Sequence, residues 1–304
     1  MCKFTVIGSL NMDLVINSPK TPVLGETILG YDYMTVPGGK GANQAIAIAR
    51  LGGQVSMIGC VGDDYFGREL LNNLSVNNVN IQNVKINNTY STGIAFITVI
   101  NGNNFIIVDS GANFCLIPEE VDGLCDIIKQ SDMILIQLEI PMQMVERVID
   151  IAKSNNVKVL LNPAPARKLS DELLSKIDII TPNESECEII TGLSVENIQD
   201  AKAAVTCLNK KGIPNVIVTL GSKGIVYNDN REIIHKPVRN VKALDTTAAG
   251  DSFSGALAFA ITKAKSIDEA TDFANAAATL TVTKKGAQSS LPYIAEVMAA
   301  YKGI

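Results

Sequence analysis

Short runs of Val, Ile and Leu recur along this chain with a helix-forming stretch between one run and the next, and that alternation leaves few folds open. FTVIGS precedes GANQAIAIARL, VSMIGCV precedes FGRELLNNLSV, and DMILIQL, VKVLLN, KIDIITP and NVIVTLG follow, with MVERVIDIAKS among them. Strand and helix in turn are the mark of βαβ units around a parallel sheet, and strands apolar on both faces belong where helices cover both sides. The expected fold is α/β: a doubly wound, mainly parallel sheet flanked by helices. A chain of 304 residues holds one such domain with an appended unit, so residues 1–304 are read as a single domain.

Two segments break the alternation. Residues Met12 to Met34 and Thr92 to Gly111 carry strand-like runs (DLVIN, ETILGYDY, GIAFITVI, NFIIVDS) with no helix between them, and Asn101-Gly102 has the composition of a hairpin turn. They are expected to form a small antiparallel sheet, a lid made by about 12–34 and 92–111 over a cleft. An edge extension of the main sheet is the alternative.

Composition removes several classes of function. A net charge of -5, a pI near 5.1 and the lack of a long Lys/Arg run exclude a broad basic face, so nucleic acid is not an expected partner. The opening MCKFTVIGSLNMD turns polar after about five apolar residues, too few for a signal peptide or a membrane span. A cytoplasmic protein with no membrane partner is expected. The six cysteines are scattered without a C-x-x-C pair, which fits reduced thiols better than a zinc site or a disulfide scaffold. The single histidine, His235, lies in the strand-like REIIHKPV, and no G-x-S-x-G elbow is present, so neither a multi-histidine metal site nor a Ser-His-Asp triad has a basis. Any general base is expected to be a carboxylate.

One carboxylate stands out. DTTAAGD, Asp245 to Asp251, runs straight into SFSGALAFAITK, where Phe253, Ala256, Leu257, Ala260 and Ile261 recur at helical spacing. Gly250 and Asp251 therefore stand at a helix N-terminus. The small residues Ala248, Ala249 and Gly250 let an anion approach free N–H groups and the positive end of the helix dipole. Asp251 is then either a working carboxylate beside an anion hole or an ordinary N-cap. A second glycine-rich segment, Pro37 to Gln44, opens an Ala/Ile-rich helix, and there Lys40 and Asn43 are placed to donate to hydroxyls. Neither segment is a Walker A loop, and no G-x-G-x-x-G follows the first strand, so a nucleotide must be held another way and a dinucleotide oxidoreductase is excluded.

GGKGANQ and DTTAAGD, together with LNPAPA (Leu161 to Ala166), TPNESE (Thr181 to Glu186) and TLGSKG (Thr219 to Gly224), resemble the ribokinase-like, or phosphofructokinase-B-type, carbohydrate kinases in order and spacing over essentially the whole chain. The GKGANQ string is more similar to ribokinases than to fructose- or adenosine-directed relatives. The resemblance implies ATP-dependent phosphorylation of D-ribose at its 5-hydroxyl, giving D-ribose 5-phosphate and ADP. A kinase for deoxyribose, another pentose or a nucleoside is the alternative on the same fold, and a non-catalytic sugar sensor a remoter one.

Carried over by position, the resemblance makes Asp251 the general base and the amides of Ala248, Ala249, Gly250 and Asp251 the anion hole. Asn11, Asp13, Gly39, Lys40, Gly41, Ala42, Asn43, Glu139 and Asp251 would bind the sugar, although Asp13 reads locally as a turn residue and Glu139 as a helix-start charge. Asn183, Thr219, Leu220, Gly221, Ser222, Lys223, Gly224, Gly250, Asp251 and Asn275 would bind ATP. Glu186 would organise Mg²⁺ through water, or be a solvated first-turn charge as Glu188 is expected to be. Asp245, Thr247, Thr281, Lys284, Gly286 and Ser290 would hold K⁺, mostly through backbone carbonyls. The resemblance also implies a homodimer joined through the lid sheets, consistent with the apolar strand GIAFITVI.

Overall fold

The computed structural model describes residues 2–100, 103–230 and 232–301. The strands are β1 (Lys3–Ile7), β2 (Asn11–Asn17), β3 (Tyr31–Gly38), β4 (Gln54–Gly62), β5 (Val79–Asn87), β6 (Gly93–Ile100), β7 (Asn103–Asp109), β8 (Met133–Ile136), β9 (Lys158–Leu161), β10 (Ile179–Ile180), β11 (Asn215–Thr219), β12 (Ile225–Asp229) and β13 (Glu232–Lys236). The helices are α1 (Lys40–Arg50), α2 (Tyr65–Val76), α3 (Pro118–Asp122), α4 (Cys125–Lys129), α5 (Met142–Ser154), α6 (Asp171–Leu174), α7 (Glu184–Thr191), α8 (Ile198–Lys210), α9 (Ala249–Thr262), α10 (Ile267–Val282) and α11 (Ile294–Tyr301).

Nine strands form one sheet in the order β13-β12-β11-β10-β9-β8-β1-β4-β5. It is parallel from β11 to β5 and antiparallel only where β12 and β13 are added at one edge. The apolar runs lack a polar face because the sheet has none to show. In β8, Met133 and Leu135 enter the core on one side while Ile134 and Ile136 enter the core on the other. In β9, Leu160 faces the first and Val159 and Leu161 the second.

From β1 the chain proceeds outward to β4 and β5 and then returns past β1 to β8, so strand order reverses between β1 and β8. Connections diverge at such a reversal and leave a crevice beyond the carboxyl ends of the strands. Polar residues begin there: Ser9 after β1, Gln137 and Glu139 after β8, Asn162 after β9 and Thr181 after β10.

A separate four-stranded sheet has the order β3-β2-β6-β7. Two particulars correct the expectation. The sheet is mixed, because β2 and β6 pair in parallel from Asn11 opposite Gly93 to Asn17 opposite Val99. The run ETILGYDY becomes strand only at Tyr31, which pairs with Asn17 at the end of β2; Glu26 to Gly30 lie beyond their partner's reach, and β3 extends instead to Gly38. The turn read at Asn101-Gly102 lies outside the described residues. His235 is in β13 with its ring Nε2 2.8 Å from the Lys223 carbonyl. All six cysteines are free, and no helix among the described residues is long and apolar enough to cross a membrane.

Candidate active site

The glycines of the first motif press the start of α1 against the β1–β2 connection. Gly39, at φ 89°, would place a Cβ 2.7 Å from Asn11 N and 2.8 Å from Ser9 O, and a Cβ on Gly41 would lie 2.7 Å from the Gly8 carbonyl carbon. No side chain fits either gap. Lys40 and Asn43 are thereby brought beside Ser9 and Asn11.

Helix α9 approaches from the other side. Gly255 permits this, since its Cβ would sit 2.8 Å from Ala47 Cβ of α1. One turn earlier, Asp251 Oδ2 accepts from Asn43 Nδ2 at 2.9 Å and Oδ1 accepts from Gln44 Nε2 at 3.0 Å. Asp251 is not the N-cap; that position is Ala248, in the left-handed region at φ 60° and without a side-chain cap. Of the four amides expected to form the anion hole, that of Ala249 donates to Thr246 O at 3.2 Å, whereas those of Ala248, Gly250 and Asp251 make no hydrogen bond among the described residues. A Cβ on Gly250 would meet nothing within 4 Å, so the first turn opens onto free space.

Burial pushes the Asp251 carboxyl above its ordinary value, and Lys40, Asn43 and Gln44 offset part of that rise. For Lys40, burial by itself would lower the pKa, but Asp251, Glu139, Glu186 and Asp13 outweigh it and hold the ammonium charged.

A polar cluster lies beside this pair. Asn113, which anchors to Leu10 N at 2.8 Å and Leu10 O at 3.1 Å, donates to Asn11 Oδ1 at 2.7 Å and so leaves the Asn11 amide NH₂ to face outward bonds. Glu139 Oε2 accepts from the Ser9 hydroxyl and from Lys40 N at 3.3 Å, and Oε1 stands 3.8 Å from Lys40 Nζ. Asp13 lies within β2 rather than in a turn, and burial together with Glu139 raises its carboxyl to about 7 against the pull of Lys40. A Cβ on Gly38 would meet Asp13 Oδ2 at 2.5 Å. Asn11, Asp13, the 39–43 segment, Glu139 and Asp251 thus converge, whereas nothing in the sequence marked Ser9 or Asn113.

Two adjoining cavities continue from Asp251. The smaller, about 220 Å³, is bounded by Lys40, Asn162, Glu186, Gly250 and Asp251. It shares Asn183, Thr219, Thr246, Ala249 and Gly250 with a larger one of about 410 Å³. Gly221, Ser222, Gly224 and Asn275 line the larger cavity, as do the apolar Val238, Val241 and Val282. Leu220 is buried in the core and Lys223 donates its Nζ to Glu196 O at 3.0 Å, so of the 219–224 segment these two side chains do not line this cavity.

Asn183 and Glu186 form a capping box at the start of α7, with Glu186 N donating to Asn183 Oδ1 at 2.8 Å and Asn183 N donating to Glu186 Oε2 at 3.0 Å. Glu186 is nonetheless 7% exposed and on the cavity wall, so it is not a solvated charge, whereas Glu188 is exposed. Its carboxyl is raised by burial, which the Asn183 N–H and Lys40 only partly counter.

Asp245 ties two loops together. Its Oδ1 accepts from Thr247 N and Oγ1 at 2.9 and 2.6 Å, and its Oδ2 from Gly286 N at 2.8 Å. Burial opposes ionisation, but these bonds prevail and lower its pKa. The side chains of Thr281, Lys284 and Ser290 are engaged elsewhere, with Ser252, Glu296 and Ala287 O respectively. No group of three or more His, Cys, Asp or Glu among the described residues is placed to hold a metal ion. An ion here would have to take neutral oxygens plus the Asp245 carboxylate.

The family model of pfkB carbohydrate kinases matches residues 1–294. A ribokinase of Haemophilus influenzae is 48% identical over 290 residues, 95% of this chain and 94% of that one. A deoxyribokinase of Salmonella typhi is 38% identical over 291 residues, 95% of each. The fold matches the solved structure of an Arabidopsis thaliana ribokinase complexed with ribose and ATP at a TM-score of 0.94, with 34% identity and 99% of each chain covered. Agreement in sequence, in fold and over almost the full length leads to one conclusion: the chain belongs to the pfkB family of carbohydrate kinases.

Proposed function

We propose that this protein transfers the γ-phosphoryl group of ATP to the 5-hydroxyl of D-ribose, releasing D-ribose 5-phosphate and ADP. The observation that carries the proposal is the position of Asp251, in the open first turn of α9 on the cavity wall and facing the polar cluster of Asp13 and Glu139. The ribokinase relatives support ribose as the acceptor.

In this reading the sugar lies among Asn11, Asp13, the 39–43 segment and Glu139, whose donors and acceptors match a ring of hydroxyls, and ATP lies in the two cavities. Asp251 takes the proton of the 5-hydroxyl as that oxygen bonds to the γ-phosphorus. The bond from phosphorus to the β,γ-bridging oxygen breaks, and ADP leaves with its electron pair. The amides of Gly250 and Asp251, the α9 dipole and Lys40 stabilise the phosphoryl group in passage. The transition state is loose, so positioning and charge stabilisation dominate, and the base adds roughly 10²–10⁴-fold.

The buried, single carboxylate of Glu186 fits Mg²⁺ held through water, and Mg²⁺ would supply charge neutralisation of the nucleotide phosphates. The ionised Asp245, with carbonyls of Thr247, Thr281, Lys284, Gly286 and Ser290, suits a soft-field monovalent ion, and K⁺ there would brace the loop that leads into α9. Phe96, Ile106, Ile107 and Val108 are between 50 and 66% exposed on the small sheet, which supports its use as both lid and homodimer contact. Six free cysteines fit a cytoplasmic location.

The test is a panel of D-ribose, 2-deoxyribose, other pentoses and nucleosides with ATP and Mg²⁺, with K⁺ or with Na⁺. Ribose should give the highest kcat/KM and K⁺ should raise kcat. A tenfold preference for 2-deoxyribose, about 1.4 kcal/mol in the transition state, would make the acceptor wrong while leaving the chemistry standing.

A further inference from the structure

Behind Asp251 lies a row of buried amides, of which Gln44 and Gln137 touch neither cavity while Asn162 lines the smaller. Gln44 is without exposed surface, and its one NH₂ group donates both protons, to Asp251 Oδ1 at 3.0 Å and to Asn162 Oδ1 at 3.1 Å. Its Oε1 accepts from Gln137 Nε2 at 2.7 Å. Gln137 is equally buried, and its own Oε1 has no hydrogen-bond partner among the described residues. That oxygen packs against Gly8, where a Cβ would lie 1.9 Å from it.

The row has a direction. An ionised carboxylate only accepts, so Gln44 must turn its NH₂ toward Asp251; its oxygen then faces Gln137, which must donate, and the unpartnered oxygen falls at the far end. Reversing every amide would give that far end a different group but would aim the Gln44 oxygen at Asp251, an arrangement that requires a protonated Asp251. A buried, unpaired carbonyl is costly, and the sequence supports it with a glycine at position 8. The cost sits where it serves the charged form of Asp251.

We propose that Gln44 is a positioning residue for Asp251, oriented by Gln137 and Asn162 so that its amide holds the carboxylate ionised and aimed at the acceptor hydroxyl. This rests on Asp251 being the base. Gln44 acts through Asp251 and contacts no substrate. The other charged groups that Asp251 faces are Lys40 from α1, Glu139 after β8, Glu186 from α7 and Asp13 from β2. None of them hydrogen-bonds Gln44, whose partners are Asp251, Asn162 and Gln137, so a shift in its apolar isostere reads the lost donor.

The experiment compares wild type, Gln44→Met, Gln137→Met and Asp251→Asn, measuring kcat/KM for D-ribose at saturating ATP from pH 5 to 9 and the thermal midpoint of each. Loss of one donor to the charged form should move the acidic limb of the Gln44→Met profile upward by about one pH unit, lower activity by up to about tenfold on that limb and leave KM for ATP unchanged. Gln137→Met should move the limb in the same direction by less. A uniform loss of activity at every pH, with only the thermal midpoint reduced, would show that the amides merely pack and would overturn the proposal. If Gln44→Met does not fold, an unshifted limb in Gln137→Met overturns it alone. Asp251→Asn separates the two claims: if it retains activity within tenfold of wild type, the base assignment fails; if it is inactive while the limb stays fixed in both Gln variants, only the positioning role fails.

Discussion

Asp13 offers a prediction in which binding and stability oppose each other. Its carboxyl lies in β2 beside Glu139, and burial with that second carboxylate raises it from 3.8 to about 7. A group raised in this way binds its proton more tightly in the folded than in the unfolded protein, so between roughly pH 4 and 7 the folded state loses stability as pH rises. Below that window both states are protonated and there is no penalty; above it both are ionised and the penalty is complete. A difference of about three units at 1.36 kcal/mol each is about 4 kcal/mol. Since water reaches part of this cleft, about 2 kcal/mol is the working figure. Asp13→Asn removes the charge and nearly preserves the shape. Urea unfolding without sugar should find the variant more stable than wild type by about 2 kcal/mol at pH 8, with the advantage reduced to about a quarter of that at pH 4.5, while KM for ribose rises by about tenfold or more. An advantage that is equal at both pH values, or absent at pH 8, would refute the electrostatic reasoning.

Three further substitutions follow from the same geometry. Gly39→Ala forces a side chain into the gap before Asn11 at positive φ and should cost about 3 kcal/mol in urea unfolding, with ribose affinity lost as α1 shifts. Lys40→Met removes the cation that lowers the pKa of Asp251, Asp13 and Glu186; the acidic limb of the pH–kcat/KM profile should move up and kcat fall by about 10², whereas a fixed limb would show that Lys40 is electrostatically remote. Gly224→Ala, at φ 96° with a Cβ 2.1 Å from Lys236 O, should raise KM for ATP more than KM for ribose in steady-state kinetics.

What the sequence could and could not announce has physical causes. The βαβ rhythm and the double-sided apolar strands were legible because burial on two faces leaves a local mark, as in Met133–Ile136. The parallel pairing of β2 with β6 was not, since it joins residues some eighty positions apart and a strand's own pattern is the same in either direction. Asp251 and the glycine loop were legible as a carboxylate at a helix start and a site of close backbone approach. Gln44 closes GGKGANQ and Gln137 stands in DMILIQL, yet their role depends on which atoms meet in space. Asn183 and Glu186 show how one spacing can carry two readings: the N-x-x-E interval is that of a capping box, and the same two residues reach the cavity wall. Leu220 and Lys223 belong to the same TLGSKG motif as Thr219, Gly221, Ser222 and Gly224, yet the Leu220 side chain packs in the core and that of Lys223 reaches Glu196 O.

The central claim is that Asp251 is the base of a ribose kinase, and its most direct test is phosphorus NMR of D-ribose with ATP and Mg²⁺ for wild type and Asp251→Asn, alongside nucleotide affinity. The account predicts ribose 5-phosphate and ADP in equal amounts from wild type, a kcat lower by about 10² or more in the variant, and ATP binding within a few-fold of wild type. Ribose 5-phosphate formed by Asp251→Asn at a rate close to wild type would contradict it.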